Sequence, residues 1–262
     1  MKEHSPNIKA VFFDIDGTLL SHKLKDVPAS ARRAIETLRA KGIRCLVATG
    51  RHREEIRRLP VENICFDGYI TLNGQLCTDA KGDAFFANPI TGKAKERILE
   101  AFHSKEMAMI LVEKDTMYLN LINDRVRRAQ ADISTPIPPI GAYSGKPLYQ
   151  AIAYLNAAEE AVFTESIPDC TVTRWNPDGI DIISAHGGKE AGIRVYLEKM
   201  GICREQTMAF GDAPNDLQML SLSGIGVAMG NAAPEIKAQA DYVTASVEED
   251  GIEKALRHFG VI

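Results

Sequence analysis

Phe12-Phe13-Asp14-Ile15-Asp16-Gly17-Thr18 is the stretch on which the fold turns. The apolar run Ala10-Val11-Phe12-Phe13 stops abruptly at two carboxylates two residues apart, and a glycine turn follows. A short apolar run bounded by a turn reads as a strand buried on both faces, as in a parallel sheet. In open α/β sheets, ligands sit beyond the carboxyl ends of such strands. Two acids at that place repel each other unless a cation or a shared proton compensates them. The pair therefore asks for a metal, for acid/base work or for both, and it points toward phosphoryl chemistry.

Outward from this strand, the first ~80 residues alternate strand and helix. Pro28–Leu38 places Ala31, Ile35 and Leu38 at helical spacing, with Gly42 as its C-terminal stop. Ile43–Ala48 reads as a second strand ending at Thr49-Gly50-Arg51, and Tyr69–Leu72 reads as a third. Strand–helix–strand order with short connections predicts an α/β fold with a doubly wound parallel sheet. From about Gln75 the texture changes: Asp79–Asp83 resembles a hairpin turn, and the proline-rich Thr135–Gly141 excludes a helix interior. After Gly187-Gly188 the opening pattern returns with helix Lys189–Lys199, strand Thr207–Phe210, helix Pro214–Leu220 and strand Gly226–Met229. Helix Pro234–Gln239, strand Tyr242–Thr244 and helix Ile252–Phe259 complete it. The expected organisation is a core domain split into 1–82 and 185–262, with an inserted α+β domain over 83–184. The apolar run Met107–Val112 is read as core of that insert.

The whole chain narrows the choice further. Its 262 residues are 45% apolar and 25% charged, an ordinary globular balance. The formal net charge of −4, without a basic block, speaks against nucleic acid and against an anionic membrane surface as partner. No apolar run approaches the ~18 residues of a spanning helix. Met1–Pro6 lacks the apolar stretch of a signal peptide. Cys45, Cys65, Cys77, Cys170 and Cys203 are odd in number, scattered and without a Cys-x-x-Cys pair, which reads as reduced thiols of a cytoplasmic protein. No apolar seam stands out, so the expected default is a monomer.

Four loci carry the chemistry: Asp14/Asp16, Thr49, Lys189 and Gly211-Asp212-Ala213-Pro214-Asn215-Asp216. Three follow predicted strands and share one sheet edge, and Lys189 opens a helix. These motifs, with Asn73-Gly74 and Asp250-Gly251-Ile252, resemble over essentially the whole chain a haloacid dehalogenase superfamily phosphatase of the Cof type, whose inserted cap is an α+β module. Ala213-Pro214 departs from the usual pattern without removing a required side chain.

The resemblance implies that Asp14 is the nucleophile and forms an aspartyl-phosphate. It implies that Asp16 protonates the leaving alkoxide and then activates water, kept partly protonated by Asp14 and by desolvation. Thr18 is expected to hold Asp16. Mg²⁺ would be bound by Asp14, Asp212 and the Asp16 carbonyl, with Asp216 acting through a water or orienting the others. Thr49, the Gly50 amide, Lys189 and Asn215 would hold phosphoryl oxygens. Arg51 either contacts substrate or pairs with Glu54/Glu55 at the surface, and Asn73 is a weaker binding candidate. His22, His52 and His186 show no metal spacing and read as structural, with a part in cap closure open for His186.

Blander readings stand beside these. Asp16-Gly17 can be a plain turn, Asp212 and Asp216 acids at a helix start, and Lys189 a solvated lysine. The implied function is Mg²⁺-dependent hydrolysis of a small phosphorylated metabolite such as a sugar phosphate. A phosphotransferase or mutase using the same intermediate and a non-catalytic sugar-phosphate sensor remain the alternatives.

Overall fold

The computed structural model describes residues 6–133 and 135–262. Met1–Ser5, most of the stretch read for a signal peptide, lie outside the described residues. The strands are β1 (Ala10–Phe13), β2 (Arg44–Ala48), β3 (Gly68–Thr71), β4 (Leu76–Asp79), β5 (Ala84–Ala87), β6 (Ala108–Val112) and β7 (Met117–Leu119). They continue as β8 (Gln150–Tyr154), β9 (Cys170–Asn176), β10 (Gly179–Ser184), β11 (Thr207–Gly211), β12 (Ile225–Ala228) and β13 (Tyr242–Val243).

Eight of them form one sheet in the order β13-β12-β11-β1-β2-β3-β4-β5. From β13 to β3 every pairing is parallel, and β4 turns back antiparallel on β3. β1 lies in the middle because its four residues are apolar on both faces. Phe13 stacks on Phe210 at 5.3 Å within one core cluster, while Phe12 meets Tyr196 edge-on at 6.2 Å within the other. This is the period-two alternation of a strand buried on both sides. The chain runs from β1 outward to β2 and β3, then returns to β11 and runs outward the other way. The β1–β11 junction is therefore the topological switch point, where open α/β sheets bind ligands.

The chain divides into two compact units. One comprises the chain up to Phe86 with Gly188–Ile262, the other Ala87–Gly187. The boundaries differ from 83 and 184: β5 joins the eight-stranded sheet through the Asp79–Asp83 turn, so residues 83–86 stay with the core. The inserted unit holds a five-stranded sheet, β7-β6-β8-β10-β9, with every strand pair antiparallel. Ile98, Phe102 and Phe163 of its helices pack on Met109, Leu111, Ile180 and Ile182 of that sheet. Among the described residues no helix is long and apolar enough to cross a membrane.

One close backbone approach fixes the return into the core. Gly74 has φ +83°, and a Cβ there would collide with the Gly188 carbonyl, while Gly188 N–H donates to Asn73 O at 3.0 Å. Gly74→Ala is predicted to cost about 2–4 kcal/mol, the sum of left-handed strain and overpacking. Gly82→Ala, at φ +90° in open space, should cost only about 1–2 kcal/mol. Urea unfolding of both variants checks this, and equal losses would contradict the packing argument.

Candidate active site

Parallel register alone brings the site together. Phe13 pairs with Val47 on one side and Phe210 on the other, so Asp14, Thr49 and Asp212 emerge within two residues of the same sheet edge. Gly17, at φ +78°, lets the chain turn after Asp16, and a Cβ there would strike the Asp212 carboxylate.

Lys189 is 1% exposed and opens helix Lys189–Met200. Its Nζ donates to Oδ1 of Asp14 and to Oδ1 of Asp216, each at 2.6 Å. A solvated helix-start lysine is thereby replaced by a buried ion-pair centre. Burial lowers the Lys189 pKa, but the two carboxylates outweigh it and hold the ammonium above the ordinary lysine value. Asp14 is pushed up by burial and by Asp216, Asp212 and Asp16, with Lys189 opposing. Burial and the Asp216 charge push Asp212 up to about 7. Oxygens of Asp14, Asp212 and Asp216 lie within 4.8 Å of one another, so three carboxylates face one ammonium.

Asp216 is fully buried, and its Oδ2 accepts from the backbone N–H of Asp212 and Ala213, both at 2.9 Å. Engaged in this way on both oxygens, it braces the Asp212 turn. Thr18, expected on Asp16, instead donates to Asp212 Oδ1 at 2.9 Å. Asp212 lies across the switch point from the Gly17 turn, within reach of the Thr18 hydroxyl.

Asp16 forms a second constellation. Arg51 Nε and Nη2 donate to its two oxygens at 2.6 and 2.7 Å, and His22 Nε2 lies 3.2 Å from Oδ1. Arg51 is thus a bidentate clamp on Asp16, and the Glu55 charge acts on it as well. Burial raises the Asp16 pKa, yet the His22 and Arg51 hydrogen bonds and the Arg51 charge hold it well below the usual carboxylate range. The expectation that Asp14 and desolvation keep Asp16 partly protonated is corrected accordingly. Its hydrogen bond to Asp16 raises His22 above the ordinary histidine value, with burial opposing. His52 caps the short helix Arg53–Ile56, where its Nδ1 accepts from Glu54 N–H.

A third group sits beside these. Thr49 is 1% exposed, and its Oγ1 accepts from Arg51 N–H at 3.2 Å. Asn215 Nδ2 donates to Asn73 Oδ1 at 2.9 Å, and Asn73 N–H donates to Thr49 O at 3.0 Å. A Cβ at Gly50 would come 3.1 Å from Asn73 Oδ1, so Gly50 keeps this corner narrow.

Asn231 had no part in the sequence reading. Its Nδ2 donates to Gly17 O at 2.9 Å and to Asp212 Oδ2 at 3.2 Å, while its Oδ1 accepts from Val247 N–H at 3.0 Å. The available signal was a Gly-Asn pair just beyond the apolar strand β12, on the same sheet edge. Asp250, of the C-terminal Asp-Gly-Ile motif, accepts from Ser30 Oγ at 2.5 Å.

Known proteins resemble this chain over nearly its whole length. The solved structure of BT1666 from Bacteroides thetaiotaomicron, described among phosphatases of the haloalkanoate (HAD) enzyme superfamily, matches with a TM-score of 0.91. It is 30% identical, and the match covers 100% of this chain and 98% of that one. BT4131, described as a HAD subclass IIB sugar phosphatase, matches with a TM-score of 0.86 and 36% identity over 97% of this chain and 100% of its own. YkrA of Bacillus subtilis (strain 168) is 32% identical over 257 residues, 97% of this chain and 98% of YkrA. The family described as haloacid dehalogenase-like hydrolase matches residues 11–256. Likeness of this extent means that the chain belongs to the haloacid dehalogenase-like hydrolases, among their Cof-type phosphatases.

Proposed function

We propose that this phosphatase hydrolyses small phosphorylated metabolites, sugar phosphates first among them, through an aspartyl-phosphate on Asp14 with Mg²⁺ as cofactor. The observation that carries the reading is the buried Lys189 ammonium between Asp14 and Asp216 at the switch point. The sugar-phosphate preference follows the likeness to BT4131. Five free thiols agree with a cytoplasmic enzyme and a formal net charge of −4 with a partner other than nucleic acid, and a monomer is the default.

Mg²⁺ fits the donor set. With all three carboxylates ionised they exceed the one ammonium by two charges, and all the donors are oxygens. Asp14, Asp212 and the Asp16 carbonyl would hold the ion, while Asp216 orients the Asp212 turn. When bound, it would offset the repulsion between an anionic nucleophile and an anionic phosphoryl group.

The protein's own groups do the rest. An Asp14 oxygen attacks phosphorus, and the bond from phosphorus to the substrate oxygen breaks. Lys189 has three N–H donors, two of them directed at Asp14 and Asp216, which leaves the third for a phosphoryl oxygen. Thr49 accepts from Arg51 N–H and keeps its own hydroxyl proton for another oxygen. The second amide proton of Asn215 serves likewise, beside the Gly50 amide. A proton passes from His22, 3.2 Å away, through Asp16 to the departing alkoxide, which leaves Asp16 ionised. Water then attacks phosphorus as Asp16 removes its proton, and the Asp14–phosphorus bond breaks. Arg51, by holding both Asp16 oxygens, prepares the carboxylate for this second step.

Three outcomes are expected. Phosphate release from a panel of sugar phosphates should require Mg²⁺, stop with EDTA, and fall at least about 10³-fold in Asp14→Asn. Substantial release by that variant would remove Asp14 as nucleophile. Asp16→Asn should form phosphoenzyme from an aryl phosphate and stall there in a rapid-quench experiment, so normal breakdown would contradict its role as base. His22→Gln should slow turnover of a sugar phosphate by about tenfold or more yet leave 4-nitrophenyl phosphate nearly unchanged, because that leaving group needs no proton. Equal losses on both substrates would rule out His22 as proton supplier.

A further inference from the structure

Away from the catalytic centre, the core unit carries a groove of about 660 Å³ between helix Lys189–Met200 and helix Leu217–Leu222. That volume lies in the roughly 300–1,000 Å³ range of small-molecule sites. Its apolar lining is Leu197, Ile202 and Leu222, and its charged lining is Arg194, Arg204 and Glu190. With its amide nitrogen toward Glu190, Gln218 donates to both carboxylate oxygens at 2.9 and 3.0 Å. Glu190 is held by Gln218 and also faces the Arg194 charge, while Arg194 and Arg204 are exposed and Ile202, with the edges of the core residues Leu197 and Leu222, lines the apolar side. Guanidiniums hold phosphate, sulfonate or carboxylate groups in a fork, and the floor favours an aromatic or alicyclic body.

We propose that this groove is an effector site for a small amphipathic anion, its acidic group on Arg194 and Arg204 and its apolar body on Leu197, Ile202 and Leu222. The two walls explain how occupancy reaches the catalytic centre, and this part rests on the roles given above to Lys189 and Asp216. One wall is the helix that begins at Lys189, and the other begins directly after Asp216. These residues meet at 2.6 Å. A ligand that sets the spacing of the walls therefore sets the ion pair that orients Asp14.

The test uses 8-anilinonaphthalene-1-sulfonate, an anion with an apolar body, titrated by fluorescence into the full chain in a phosphate-free buffer. Saturable one-to-one binding is expected, weakened at least about tenfold in the Arg194→Glu/Arg204→Glu double variant with an unchanged melting curve. The milder Arg194→Gln/Arg204→Gln pair serves if charge reversal unfolds the protein. Binding as tight in the variant as in the original chain would overturn the site. Hydrogen exchange, which needs no turnover, reads the coupling: amides over 188–191 and 212–216 should slow on probe binding, and only with both arginines present. Probe bound at the groove with exchange there unchanged would overturn the effector role, whatever the outcome of the phosphatase assays.

Discussion

Lys189 Nζ sits 2.6 Å from Asp14 Oδ1 and 2.6 Å from Asp216 Oδ1, in a place that leaves the lysine 1% exposed. A charge so buried is tolerated only with its partners in place, and removing one partner of such a pair typically costs about 3–5 kcal/mol. The cluster therefore constrains both halves of the sheet domain. Asp14 comes from the first strand, while Lys189 and Asp216 arrive after a hundred-residue excursion into the second unit. The ion pair is the electrostatic closure of a split domain, and its surplus of carboxylates over ammonium is the feature on which the proposed cation site rests.

The surrounding structure serves to hold this centre still. Gly74 admits the Gly188 carbonyl against its backbone, which sets where the helix of Lys189 begins. Asp216 ties its other oxygen to the Asp212 and Ala213 amides, so the ion pair also braces the turn that presents Asp212. Asn231 links that carboxylate to the Gly17 carbonyl across the switch point. Positioning of this kind leaves little reorganisation for the reaction itself. Asp16 is held differently, by a guanidinium and an imidazole, and is part-exposed, which fits the proton exchange proposed for it.

Much of this was legible in the chain because parallel strands write themselves as apolar runs, and their ends as abrupt polarity. Ala10–Phe13 followed by Asp14, and Thr207–Gly211 followed by Asp212, placed the strands and the acids together. Helix ends were less legible: Pro214–Asp216 forms a 3₁₀ turn before helix Leu217–Leu222, where periodicity read one continuous helix. β5 was assigned to the insert because a hairpin turn is local and does not say which sheet its strands join. The partners of Asp16 were misread for a related reason. Arg51 and His22 approach it from two different loops, and spacing along the chain does not encode a bidentate contact across 35 residues. Asn231 was missed because its contacts to Gly17 span 214 positions.

The central claim is that Asp14 itself carries the phosphoryl group. Rapid acid quench after mixing with a phosphate-labelled sugar phosphate, followed by peptide mapping, tests it most directly. The account predicts a transient label on the peptide containing Asp14, which appears before free phosphate and decays as phosphate is released. Phosphate released at the same rate with no labelled peptide at any time, or a label on a peptide without Asp14, would contradict it.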